Sequence, residues 1–142
     1  PVVLGTDGVK KMSKSVGNTI PIFAPDEEIR RTVMGMVTDT LRVKRTDPGH
    51  PERCNVCQLH RFYGDDVEEI WAGERTARTG CVDTKKLLVE RLLRHYAPAR
   101  ERYADLMAHP ATLDGILEEG ASRLRPIVDA TMAEVREKMG LR

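Results

Sequence analysis

From Pro25 onward the apolar residues recur every three to four positions, and this spacing makes the segment a chain of amphipathic helices joined by loops. Ala24-Pro25-Asp26-Glu27-Glu28 reads as a helix start, because proline suits the first helical position and three carboxylates complement the helix dipole. Ile29, Val33, Met36 and Val37 form its apolar face, and Arg30 and Arg31 fall off that face into solvent. Residues 38–53 form a long loop with a turn at Pro48-Gly49, and loops of this length are often functional. Within it Arg42, Lys44 and Arg45 could meet RNA phosphates, against the alternative of a plain exposed loop.

A short helix is expected from Cys54 to Tyr63, with Val56, Leu59 and either Phe62 or Tyr63 inward. Asp65-Asp66 start another, with Val67, Ile70 and Trp71 apolar, followed by a loop holding Gly73 and Gly80. The next helix begins near Asp83 with Leu87, Leu88, Leu92 and Leu93 as its stripe. Pro98 kinks or ends it, and Tyr103, Leu106 and Met107 continue the face beyond. The last helix runs from about Leu113 to Met139, with Ile116, Leu117, Leu124, Val128, Val135 and Met139 marking a buried face and Gly120 and Pro126 as weak points. The architecture expected is an α-helical bundle.

Ahead of the helices lies Gly5-Thr6-Asp7-Gly8-Val9-Lys10-Lys11-Met12-Ser13-Lys14-Ser15-Val16-Gly17-Asn18. Glycines, lysines and serines packed this closely make a mobile loop suited to polyphosphate, since glycines let the backbone approach and lysines act as point charges on phosphate oxygens. Residues 1–46 carry eight Lys/Arg against five Asp/Glu, whereas 47–142 carry fifteen against seventeen, so the basic excess lies around this loop. The net charge of +1 provides no global field for nucleic acid. Val2-Val3-Leu4 reads as a buried strand that has lost its neighbours, and the Pro1 start suggests a fragment. No apolar run approaches membrane-spanning length and no signal peptide is visible. With only three cysteines, a reducing cytoplasm is the expected compartment.

Lys11-Met12-Ser13-Lys14-Ser15 resembles the second signature of the class I aminoacyl-tRNA synthetases, and the longer frame through Asn18 and Ile20 resembles the bacterial tryptophanyl-tRNA synthetases. Thr46 to Glu52, Gly80 to Lys86 and Val135 to Leu141 are similar to further stretches of that family. The resemblance implies a C-terminal fragment in two parts. Residues 1–24 would be the last strand and lysine-rich loop of a Rossmann-type catalytic domain that is otherwise missing, and 25–142 an all-α, helical anticodon-binding domain.

It also implies an ATP-binding set of Lys11, Met12, Ser13, Lys14 and Ser15, with Lys14 and, less directly, Lys11 as the catalytic residues that neutralise the leaving pyrophosphate. Magnesium would come with the ATP, Met12 would anchor the loop by packing, and the partners would be tryptophan-specific tRNA, ATP and L-tryptophan. The intact enzyme would be a cytoplasmic homodimer with no membrane segment, and the fragment alone inactive. A tyrosyl-tRNA synthetase fragment and a non-catalytic RNA-binding helical module are the alternatives. Arg91, Arg94, Arg100 and Arg102 could line an RNA-facing side or be solvated.

Cys54 and Cys57 have metal-ligand spacing, with Cys81, His50 and His60 as further donors. Some relatives hold an iron–sulfur cluster on a C-x22-C-x6-C-x2-C pattern. Counted from Cys81, its other positions fall on Glu74 and Thr84, with Cys54 or Cys57 an approximate fourth. No metal ligand is therefore assigned. Free buried thiols are favoured over a cluster or zinc at Cys54, Cys57 and Cys81.

Overall fold

The structure, a computed structural model, describes residues 2–141, so Pro1 lies outside the described residues. It is all-α: α1 is Asp26–Met34, α2 Asn55–Leu59, α3 Val67–Arg75, α4 Cys81–Ala108 and α5 Pro110–Lys138, with short 3-10 turns at Lys14–Val16 and His60–Phe62. The chain divides into two compact units, Pro1–Arg100 and Glu101–Arg142.

The first unit holds the core. Ile29, Val33 and Met36 meet Val56, Leu59, Leu88, Val89 and Leu92, and Cys54 and Cys57 are buried among them. Burying each such Val, Leu or Ile side chain stabilises the fold by about 1.5–3 kcal/mol. Val37, expected on the same face, is exposed, because α1 ends at Met34 and the helical register with it. Its N–H instead donates to the Thr6 carbonyl at 3.0 Å. Of the two aromatic candidates, Tyr63 packs on the core and Phe62 points outward.

Gly73 lies inside α3 rather than in a loop. α4 starts at Cys81, two residues before the expected Asp83, whose carboxylate reaches back to accept the Gly80 N–H at 3.0 Å. That return bond fixes the first turn in the manner of a capping box. Pro98 does not end α4, which is continuous from Cys81 to Ala108. The residue is exposed, so its ring is accommodated on the solvent side.

His60 is fully buried on the 3-10 turn after α2, with Nε2 donating to the Thr84 carbonyl at 3.0 Å. Burial pushes its pKa below the ordinary value near 6.5; Arg91 pushes the same way, and the Thr84 bond and Asp66 oppose it. The unfolded chain therefore takes up a proton that the folded chain refuses, and stability falls as pH drops through about 6.5. Urea unfolding between pH 7.5 and 5 is expected to show this decline, and His60→Gln to flatten it. Equal slopes in the two proteins would assign the pH dependence elsewhere.

In the second unit, α5 runs unbroken through Gly120 and Pro126 and buries none of its residues. Ile116, Leu117, Leu124, Val128, Val135 and Met139 are all exposed, contrary to the buried face expected for them, as are Tyr103 and Met107 on α4. Periodicity identifies the face a helix would bury; it does not supply a surface to receive it. No helix among the described residues is long and apolar enough to cross a membrane.

Candidate functional site

Residues 2–20 form a clasped loop. Leu4 and Lys11 make a single antiparallel bridge, with Gly5 N–H donating to Lys10 O and Met12 N–H to Val3 O, both at 2.9 Å. This is all that forms of the expected strand. Among the described residues Val2-Val3-Leu4 has no ladder, and Val2 and Val3 are exposed rather than buried. A strand without neighbours has no partners for its remaining backbone groups.

Asn18 closes the loop. Its side chain accepts the Ser13 N–H at 2.8 Å and donates to Asp7 Oδ2 at 2.8 Å and to the Lys11 carbonyl at 3.2 Å. Asp7 in turn accepts the N–H groups of Val9 and Lys10. The bonds from Val9, Asn18 and Lys10 hold its carboxyl below the usual carboxylate range. Gly5 is required by this clasp, since a Cβ there would sit 2.1 Å from Asn18 Nδ2. The Lys14–Val16 turn ends on Gly17 in the left-handed region at φ 74°, a conformation that favours glycine.

Two long-range bonds fix the base: Asn55 Nδ2 donates to the Gly5 carbonyl at 2.7 Å, and Val37 N–H to Thr6 O. Asn18→Ala removes three side-chain bonds at once. Amide exchange over residues 9–17 is then expected to accelerate about tenfold or more, as loss of roughly 1–3 kcal/mol of local stability requires. Unchanged exchange would mean that the backbone bonds suffice.

The clasp presents Lys11 and Lys14 outward. Both are exposed, and neither pairs with a described carboxylate. Ser13 and Ser15 lie between and beside them, with their hydroxyls 2.9 Å apart. Met12 is half-buried and lines an apolar cavity of about 470 Å³ with Ile20, Ile22, Leu59, Tyr63 and Leu92. The five expected ATP residues thus occupy one short arc, with two unpaired ammonium groups on the solvent side and a thioether on the core side. Sequence reading missed Asn18, Asp7 and Asn55; a polar residue closing a glycine-flanked turn is the signal that could have found the first.

The other basic candidates are not equivalent. Arg42 is not available to RNA: its side chain is only 3% exposed, bound to Glu74 and to the carbonyls of Arg45 and Thr79. Arg45 pairs loosely with Asp83 at 3.3 Å, and Lys44 is exposed. Arg91 is buried against Asp66, Arg100 bonds Asp26 and the Ala24 carbonyl, and Arg102 pairs with Asp105, whereas Arg94 is exposed.

The residues offered to a metal do not fit one. Glu74 and Thr84, at two of the four cluster positions, are hydrogen-bonded to each other, and Glu74 also binds Arg42. His50 Nδ1 is held by Asp39 at 2.9 Å, and His60 Nε2 by Thr84. Burial works to raise the Asp39 pKa, but hydrogen bonds from the His50 ring and from the Leu41 and His50 N–H groups outweigh it and leave Asp39 ionised. Cys54 and Cys57 are buried free thiols, whereas Cys81, expected to be buried with them, is a half-exposed free thiol at the first residue of α4, and no group of three or more His, Cys, Asp or Glu among the described residues is set to hold a metal.

The family model of the class I tRNA synthetases (W and Y) matches residues 1–97. The tryptophan–tRNA ligase of Thermotoga maritima is 41% identical over 144 residues, covering 99% of this chain and 44% of that protein. The tryptophan–tRNA ligase of Deinococcus radiodurans is also 41% identical, covering 96% and 42%. The crystal structure of the Campylobacter jejuni tryptophanyl-tRNA synthetase, complexed with ADP and tryptophan, superposes with a TM-score of 0.89 at 34% identity, over 99% of this chain and 44% of that one. The chain therefore spans less than half the length of the curated relatives it matches. From its first residue through the lysine loop and well into α4, the chain belongs to the class I tRNA synthetases of the tryptophan and tyrosine family.

Proposed function

We propose that this chain supplies the ATP-phosphate loop and the tRNA-recognition helices of a tryptophan–tRNA ligase. The division falls near Ala24, with the loop in residues 1–24 and the helical part in 25–142. The observation that carries the reading is the clasped Lys11–Ser15 arc, whose two ammonium groups are exposed and unpaired.

In the reaction the tryptophan carboxylate attacks the α-phosphate of ATP, giving tryptophanyl-adenylate and pyrophosphate, and the tRNA 3′ end then takes the aminoacyl group. No protein nucleophile is needed, so catalysis rests on positioning and on stabilising charge that develops on the leaving pyrophosphate. Lys14, with Lys11 behind it, neutralises that charge. Ser13 and Ser15 hold the phosphates together with backbone N–H groups, and Met12 seats the loop on the apolar cavity. Magnesium bound to the nucleotide would supply further positive charge at the phosphates. Closure of the loop over ATP accompanies the step. The intact enzyme is a cytoplasmic homodimer, which light scattering of the full-length protein checks.

The deciding experiment is amino-acid-dependent ATP–pyrophosphate exchange by the full-length protein, with each standard amino acid offered in turn. Exchange with tryptophan alone supports the reading, and exchange with tyrosine replaces it by the tyrosine enzyme. The 142-residue chain by itself is expected to give none, since it spans less than half the length of the ligases it matches.

A further inference from the structure

The apolar cavity that Met12 borders has a volume of about 470 Å³, within the roughly 300–1,000 Å³ of small-molecule sites. The lysine loop supplies one side of it: Met12 lies within the loop, and Val3 and Ile20 bracket it. Leu59 and Leu92, both buried in the core, supply the floor. The remaining wall is aromatic. Tyr63 meets the His95 ring edge-on at 5.3 Å between centroids and the Tyr96 ring at 6.1 Å, and His95 and Tyr96 meet at 4.8 Å. Edge-to-face contacts at these spacings are attractive, so the three rings hold one another in place.

The wall carries one polar feature. The Tyr63 and Tyr96 hydroxyls lie 3.2 Å apart, longer than the usual O–H···O distance of about 2.7–2.8 Å. That contact engages one of the two hydroxyl protons and leaves the other for an acceptor. Burial and the bond to Tyr96 push the Tyr63 pKa further above its ordinary value near 10, so its proton stays on. Among the described residues no Lys, Arg, Asp or Glu lines the cavity. A phosphate, a carboxylate or an amino-acid zwitterion would therefore lose its hydration there with no counter-charge in return. A flat neutral ring fits instead: its faces meet the aliphatic walls, its edge meets the aromatic cluster, and one acceptor atom takes the free hydroxyl proton. We infer that this cavity is a binding site for a small, neutral, planar aromatic molecule bearing a hydrogen-bond acceptor, and that filling it holds the lysine loop in its clasped form.

The coupling follows from who builds the walls. Opening the loop takes Met12 away from Leu59 and Leu92 and dismantles the site. A molecule that binds only the assembled cavity therefore stabilises the clasped loop by mass action.

Quinoline, neutral at pH 8 and with one ring-nitrogen acceptor, is the probe. It is titrated into the methyl-labelled 142-residue chain and into the full-length protein, with Met12→Leu assigning the resonance. The chain has six methionines, and Met12 alone lines the cavity. The Met12 methyl is expected to shift and saturate with a dissociation constant of about 1 mM, while Met34, Met36, Met107, Met132 and Met139 stay in place. At ten times that constant, amide exchange over residues 9–17 is expected to slow about tenfold. Tyr63→Phe with Tyr96→Phe keeps both rings and removes both hydroxyls, and it should weaken binding by about 3- to 10-fold. His95 is exposed, so His95→Trp is tolerated by the fold and should fill the site and abolish the Met12 shift. No Met12 shift, or shifts spread over all six methionines, would overturn the site. Undiminished binding by the double phenylalanine variant would overturn the ligand chemistry, and unchanged exchange the link to the loop. A Met12 shift in the 142-residue chain but not in the full-length protein would assign the cavity to contact with the rest of that protein and overturn the inference. None of these readouts requires that the loop take part in catalysis.

Discussion

Replacing Lys14 by alanine in the full-length protein is expected to slow tryptophan-dependent ATP–pyrophosphate exchange by about 100- to 1,000-fold, the range seen when one preorganised charge-stabilising group is removed from a transition state. The loss should fall mainly on kcat, with KM for ATP changing less, because in the proposed mechanism the charge that Lys14 meets grows as pyrophosphate departs. Lys11→Ala is expected to lose less. Arg30, exposed on the outer side of α1, supplies the comparison, since its removal takes away one positive charge without touching the loop. Exchange with Arg30→Ala should stay near wild type. Equal losses at Lys14 and Arg30 would reduce the lysine's part to overall charge.

The largest stability effect is expected at Glu74. Its carboxylate lies between the Arg42 guanidinium and the Thr84 hydroxyl, and its side chain and that of Arg42 are each 3% exposed. Glu74→Ala leaves a buried cation with no counter-charge, which costs about 3–5 kcal/mol. The pair itself contributes far less than that, because two charges lose hydration to form it. The double variant Arg42→Met with Glu74→Leu is therefore expected to recover most of the loss. Urea unfolding followed by Trp71 fluorescence measures both, since Trp71 lies in the same unit. A Glu74→Ala penalty below about 1 kcal/mol would place water where the structure places the pair.

What could be read from the sequence divides along physical lines. The lysine loop was legible because its chemistry is contiguous: five residues in a row carry charge, hydroxyls and an apolar anchor. The clasp behind it was not, because Asn18 and Asp7 become partners only when the backbone turns between them. Helices from α1 to α4 followed from apolar spacing, and the positions that erred are those where spacing outlasts its cause. Val37 kept the period of α1 after Gly35 had ended the helix. The α5 stripe kept it along a 29-residue helix that buries none of its residues. Arg42 was misread for a different reason. An arginine in a polar loop looks solvated unless its acid is known, and Glu74 lies 32 positions away on α3.

The bond from Asn55 to the Gly5 carbonyl joins residues 50 positions apart in the chain. A contact of that span cannot form until the intervening segment has been gathered, and the entropy of closing so long a loop delays it behind local helix formation. Docking of the loop's base against α2 is thus expected late in folding, whereas the bonds Asn18 makes within the loop are local. In refolding experiments, phosphate-binding competence should trail the burial of Trp71 rather than lead it.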